Sequence, residues 1–134
     1  MNDEINIEKT QLSPKVKLNK EKNTFIISGK SAIENAHDFY KPVLNWFTNY
    51  FNNPNEKTEI TLFLEYLNSS SSLQIGNLIH LFGENTNTTE LIINWLYDSG
   101  DDLMEEIGKE FQYTYEIKLN FKEVNSDMDE DFEF

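Results

Sequence analysis

Residues 59–66 and 90–97 carry apolar side chains on both faces of an extended chain. This constrains the fold more than any other feature of the sequence. In the first run Ile60, Leu62, Leu64 and Tyr66 share one face and Phe63 lies on the other. In the second, Leu91, Ile93, Trp95 and Tyr97 oppose Ile92 and Leu96. A strand with one wet face alternates apolar with polar residues, whereas apolar groups on both faces belong to central strands. Three further runs read as strands. Lys15–Leu18 and Thr24–Ser28 flank the polar NKEKN and form a hairpin. Tyr115–Phe121 alternates with Tyr115, Ile117, Leu119 and Phe121 inward, as expected of a one-sided strand near an edge.

Helical periodicity fills the gaps between these strands. Ser31-Ala-Ile-Glu34 is a capping box ahead of Phe39, Tyr40, Val43, Leu44, Phe47, Tyr50 and Phe51 at helical spacing. Pro42 removes a helix hydrogen bond, so a short turn to about Asp38 and a main helix after it are expected. A second helix spans about Ser70–Phe82 on Ile75, Leu78, Ile79 and Phe82, with Gly83 as its stop. A third spans about Asp101–Phe111, with Leu103, Met104, Ile107 and Phe111 inward; Gly108 costs it about 1 kcal/mol relative to Ala. The order β-β-α-β-α-β-α-β predicts one α/β domain, a mixed sheet layered with helices. Its expected boundaries are 15–122, after a flexible N-terminal segment at 1–14 and before an acidic disordered tail at 123–134.

Charge and composition remove several functions. The 134 residues hold 24 acids against 11 cations, every one of them Lys, for a net charge of -13. Binding a nucleic acid requires cations to neutralise phosphates, so no nucleic-acid partner is expected. Without Arg, bidentate clamping of an anion is disfavoured. Without Cys there is no disulfide scaffold, thiol nucleophile or thiolate-ligated metal. The opening residues lack the charged and apolar regions of a secretory signal, and no apolar run approaches the roughly 20 residues that span a bilayer. A cytoplasmic protein without membrane insertion is expected. Acidity is concentrated at 98–110 and 123–134. The tail's Phe132 and Phe134 would suit a docking element, although chance placement in a solvated tail is the better reading.

Asp101, Asp102, Glu105 and Glu106 offer carboxylates for a metal or acid–base site and so an enzyme reading, or an acidic surface for a passive adaptor. Their spacing fits no calcium loop, and acids in a first helical turn complement the helix dipole. His37 and His80 lack a metal-binding pattern, and no nucleophile elbow or phosphate-binding loop is present. No metal or other cofactor is therefore expected. Asn68-Ser69-Ser70-Ser71-Ser72 is more informative. It follows a buried strand and opens an amphipathic helix, the place where open α/β sheets put functional groups. One hydroxyl suffices as a cap, and Ser71-Ser-Leu-Gln74 is itself a capping box. The surplus hydroxyls suit either a polar turn or regulatory phosphorylation at a helix start.

FIISGKSAIENAHDFYKPVLNWF from Phe25, TLFLEYLNSSSS from Thr61, and NWLY from Asn94 followed by DDLMEEIGKEF together resemble the SiaC-type regulatory phosphoproteins, in that family's order and over most of 24–121. The resemblance implies a non-catalytic bacterial switch with a fold like the STAS-type anti-anti-sigma factors. It also implies phosphorylation by a cognate protein kinase, resetting by a PP2C-like phosphatase, and control of a diguanylate cyclase in cyclic di-GMP signalling. By position, the phosphoacceptor hydroxyl is that of Ser69, with Ser70 and Ser71 as register alternatives. Asn68, Ser70 and Ser71 would then shape the partner-binding surface. Ser69 stands where the family often has Thr, and Ile33 where it often has Pro.

Overall fold

The structure is a computed structural model that describes residues 4–125. Six strands form a single sheet in chain order: β1 (Glu4–Ile7), β2 (Lys15–Asn19), β3 (Thr24–Ser31), β4 (Lys57–Leu67), β5 (Glu90–Asp98) and β6 (Asn120–Val124). The first three pair antiparallel and β3 to β6 run parallel. Each parallel step is bridged by a helix: α1 (Ala36–Tyr50), α2 (Ser69–Gly83) and α3 (Asp102–Tyr115). Right-handed crossovers between strands laid down in order put all three helices on one face of the sheet. The core lies beneath them. Val16, Leu18, Phe25, Ile27, Ile60, Leu62, Leu64, Ile93 and Trp95 meet Tyr40, Val43, Phe47, Ile75, Leu78, Ile79, Phe82 and Met104 there.

The two apolar-faced runs are the central strands β4 and β5, and the NKEKN hairpin joins β2 to β3. Several expectations need correction, among them the inward placement of Leu103 on α3, which is 71 % exposed. Within the segment expected to be flexible, Glu4–Ile7 forms an edge strand, because Ile5 pairs with Leu18 and Ile7 with Val16 and both pack on the core. Ser31 is the buried last residue of β3; the α1 cap is Asn35, whose side chain accepts from the Asp38 N–H. The helix then runs through Pro42, which sits on its exposed side while Ala36, Tyr40, Val43, Phe47 and Tyr50 bury the other. Packing of that aromatic stripe outweighs the local cost of one lost hydrogen bond.

The last strand is also displaced. Tyr115 still belongs to α3, and Glu116 ends that helix in the left-handed conformation at φ 50°. Ile117 and Leu119 are buried, but in a connection, with the Leu119 N–H donating to Gln112 Oε1 at 2.8 Å. β6 begins at Asn120 and is an edge strand, as expected of the one-sided run. Glu123 and Val124, assigned to the tail by the sequence, are its final residues. The remainder of that acidic segment, including Phe132 and Phe134, lies outside the described residues.

Gly108 has a packing reason that outweighs its poor helix propensity. A Cβ there would lie 2.4 Å from Trp95 Nε1 and 2.8 Å from Phe121 Cε1. The indole is fixed by its hydrogen bond to the Met104 carbonyl at 2.9 Å. Gly108→Ala gains about 1 kcal/mol of helix propensity but forces rigid rings apart at a cost of about 1–3 kcal/mol. The expected result is a lower urea midpoint with an unchanged slope. A midpoint at or above that of the parent would show that the indole yields freely.

Candidate functional site

β4 delivers the serine run to the carboxyl end of the sheet, and Asn68 turns it into α2. The Asn68 Oδ1 accepts from the Ser71 N–H at 2.8 Å, capping the helix, and its Nδ2 donates to the Ile33 carbonyl at 3.0 Å. Its own N–H donates to the Ser31 carbonyl at 3.1 Å. One side chain thus holds the start of α2 and the segment after β3 together. The cap is Asn68 and not the expected Ser71 box, because Asn68 stands one residue before the first helical position.

The four serines differ in environment. Ser69 is exposed at the first helical position, and Ser70 and Ser72 are half-buried. Ser71 is wholly buried, and its hydroxyl accepts from Ser31 Oγ at 2.7 Å. Ser31 Oγ lies 2.8 Å from the equally buried Tyr40 hydroxyl. Since Ser31 gives its proton to Ser71, Tyr40 donates to Ser31. Burial therefore removes Ser71 from the surface it was expected to shape and from the register alternatives. Helical spacing carried this signal, for Ser71 lies four residues before Ile75 and seven before Leu78, on the same buried stripe.

Asn68 lines two open depressions, and Ser69 lines the first of them. One, of about 490 Å³, runs between α2 and α3 and is lined by Ser69, Ser72, Leu73, Ile107, Phe111 and Tyr115, among others. The other, of about 520 Å³, lies across Asn68 and is lined by Leu12, Ile33 and Phe39 among others. Leu12 and Leu73 are each 62 % exposed, so each depression carries an exposed apolar residue, and Leu73 shares its groove with Ser69. The sequence reading missed both. Leu73 falls off the buried stripe of its helix, which marks it as an outward apolar residue. Close contact between α2 and α3 sets the groove, since a Cβ at Gly76 would lie 2.7 Å from the Tyr115 hydroxyl.

The carboxylates at the start of α3 are occupied in holding that helix. Asp101 is its cap and accepts from the Met104 N–H at 3.0 Å. Glu105 accepts from the Tyr97 hydroxyl at 3.3 Å and pairs with Lys109 at 3.6 Å. Asp102 and Glu106 are exposed. Desolvation, then the charges of Glu105, Glu123 and Asp102, raise the Tyr97 phenol above its usual range. Among the described residues, no three His, Cys, Asp or Glu side chains are grouped to hold a metal. His37 is exposed with Nδ1 3.5 Å from Asp38, and exposed His80 lies against Tyr115 with ring centroids 5.9 Å apart. No helix among the described residues is long and apolar enough to cross a membrane.

An exposed serine at a helix start, beside an open groove, thus sits at the edge of a mixed sheet covered by three helices. Residues 7–124 match the SiaC family of regulatory phosphoproteins, and the chain belongs to that family. It is a regulatory protein and not an enzyme. An uncharacterised protein of Pseudomonas aeruginosa strain UCBPP-PA14 is 24% identical over 110 residues, which make up 81% of this chain and 87% of that protein. The fold matches SiaC of Pseudomonas aeruginosa with a TM-score of 0.79 at 22% identity, covering 90% of this chain and 98% of that one. It also matches a crystal structure of the diguanylate cyclase SiaD in complex with its activator SiaC, from the same organism. There the TM-score is 0.81 at 21% identity, with 90% and 99% covered.

Proposed function

We propose that this chain is a cytoplasmic binding switch whose partner is a diguanylate cyclase and whose state is set by phosphorylation of Ser69. The observation that carries the reading is the position of Ser69: exposed, at the first residue of α2, lining the groove that also carries the exposed Leu73. In the unmodified state a partner covers this neutral face, seating apolar groups against the two depressions. A cognate kinase transfers the γ-phosphoryl group of ATP to Ser69 Oγ, and a PP2C-like phosphatase removes it by hydrolysis. The phosphate adds about -1.5 to -2 charge. It sits beside the first amides of α2, which have no intrahelical acceptor and stabilise a nearby anion.

With no Arg in the chain to pair with it, the phosphate acts on the partner by repulsion and blocking, with little internal reordering. Support for a cyclase partner comes from the family and from the activator role of SiaC in its complex with SiaD. Support for Ser69 over its neighbours comes from exposure. Phosphopeptide mass spectrometry of the protein isolated from its native cell tests the assignment. An increase of about 80 Da on the peptide containing 69–72, localised to Ser69 by fragmentation and lost in Ser69→Ala, is expected. Modification confined to another residue, or absent from every growth condition, would overturn it.

A further inference from the structure

Asn68 does more than cap a helix. Its N–H donates to the Ser31 carbonyl at 3.1 Å and its carbonyl accepts from the Ser72 N–H at 2.8 Å. Its Oδ1 accepts from the Ser71 N–H at 2.8 Å, and its Nδ2 donates to the Ile33 carbonyl at 3.0 Å. That last bond leaves α2 altogether. Ile33 belongs to the wall of the depression that holds Leu12 and Phe39, and Leu12 is tied to the same wall, its carbonyl accepting from the Ala32 N–H at 2.8 Å. Asn68 itself borders both depressions. Only a short amide serves both ends. Asp offers acceptors alone, and a Ser or Thr hydroxyl caps the helix without a second arm.

We infer that Asn68 is a positioning residue for phosphoryl transfer to Ser69, joining the two depressions into one footprint for the kinase. The inference rests on Ser69 being the acceptor. In the transfer the bond from the γ-phosphorus to the bridging oxygen of ATP breaks, a bond from Ser69 Oγ to that phosphorus forms, and the hydroxyl proton passes to a base of the kinase, leaving ADP. The hydroxyl must therefore be held in near-attack range, and a displacement of about 1 Å costs on the order of 100-fold in rate. The cap meets this need, because it fixes the backbone of the next residue, Ser69, as the first of α2. The second arm meets another. A specific interface covers about 800 Å² on each partner, so one centred on Ser69 extends past Asn68 into the depression beyond it. The bond to Ile33 keeps that wall in fixed register with α2. The cap thus governs the chemical step, and the tether governs docking.

Asn68→Ser separates the two, because serine is a comparable neutral cap that lacks the second arm. With the kinase purified from the native cell and the full chain as substrate, KM for Asn68→Ser is expected to rise about fivefold, the worth of one net hydrogen bond, with kcat within about twofold of the parent. Leu12→Ser, at an exposed position in the depression beyond Asn68, should raise KM in the same way without disturbing the fold. Asn68→Ala loses cap and tether together and should lower kcat as well. Unchanged KM in Asn68→Ser or in Leu12→Ser would overturn the inference while leaving Ser69 as the acceptor. So would a fall in kcat for Asn68→Ser as large as that for Asn68→Ala, since docking and chemistry would then not be separable at this residue. A parent chain that takes up no phosphate at Ser69 would overturn both the inference and the reading beneath it.

Discussion

Ser69→Asp is expected to lower affinity for a diguanylate cyclase partner by tens- to several hundred-fold, with Ser69→Ala close to the parent. The size follows from the site. A carboxylate at the first position of α2 finds no Arg in the chain and lines a groove, with the exposed Leu73, that a bound partner would desolvate. An unpaired charge buried at an interface costs roughly 2–4 kcal/mol, and each 1.4 kcal/mol is tenfold in affinity. The fold should tolerate the change, because an acid near a helix N-terminus is favourable by about 0.3–1 kcal/mol. Calorimetric titration of the purified partner with each variant reads the effect, and unfolding curves separate lost binding from lost structure. Equal affinities for the Asp variant and the parent, both folded, would remove Ser69 from the interface.

The second large effect is alkaline instability controlled by Tyr40. Burial pushes its phenol up to about 12 from an ordinary 10, partly offset by the hydrogen bond with Ser31. The folded state holds the proton more tightly than the unfolded chain. The neutral form's advantage is therefore complete below pH 10 and is lost as pH rises toward 12. Over that window stability falls with pH, by roughly 3 kcal/mol in all. Tyr40→Phe should cost about 1 kcal/mol at neutral pH through the lost hydrogen bond, then show a shallower decline above pH 10. Urea unfolding at several pH values compares the two, with the other tyrosines and the lysines as a shared background. Parallel declines would mean that the phenol is not held neutral. The link to function is mechanical, since Tyr40, Ser31 and Ser71 fix the first turn of α2 from beneath and so orient Ser69 outward.

Much of this was legible in the sequence where period and composition agreed. β4 and β5 followed from apolar residues on both faces, and α2 from Ile75, Leu78, Ile79 and Phe82. The location of Ser69 followed because a serine run joined the two. Local rules failed where long-range packing decided. Ser31 satisfies a capping box on paper, but its hydroxyl is held by Tyr40 and Ser71, partners nine and forty residues away. Pro42 stays helical because an aromatic stripe binds the turn on both sides of it. The alternation from Tyr115 to Phe121 suits a strand, but Tyr115 closes on Gly76 and Gln112 caps the Leu119 amide, which keeps the chain out of the sheet until Asn120.

The consecutive strand order has a consequence for how the molecule forms. Each strand pairs with the one made just before it, so no strand has to be threaded between two already in place. Sheet growth can therefore keep pace with synthesis, which proceeds at about 5–20 residues per second from the amino terminus. Only the antiparallel pairings among β1, β2 and β3 are of short sequence separation and favour fast formation. The groove beside Ser69 is among the last features completed, because it needs α3 seated on Gly76. A nascent chain therefore presents the acceptor serine before it has a finished surface for a partner to bind.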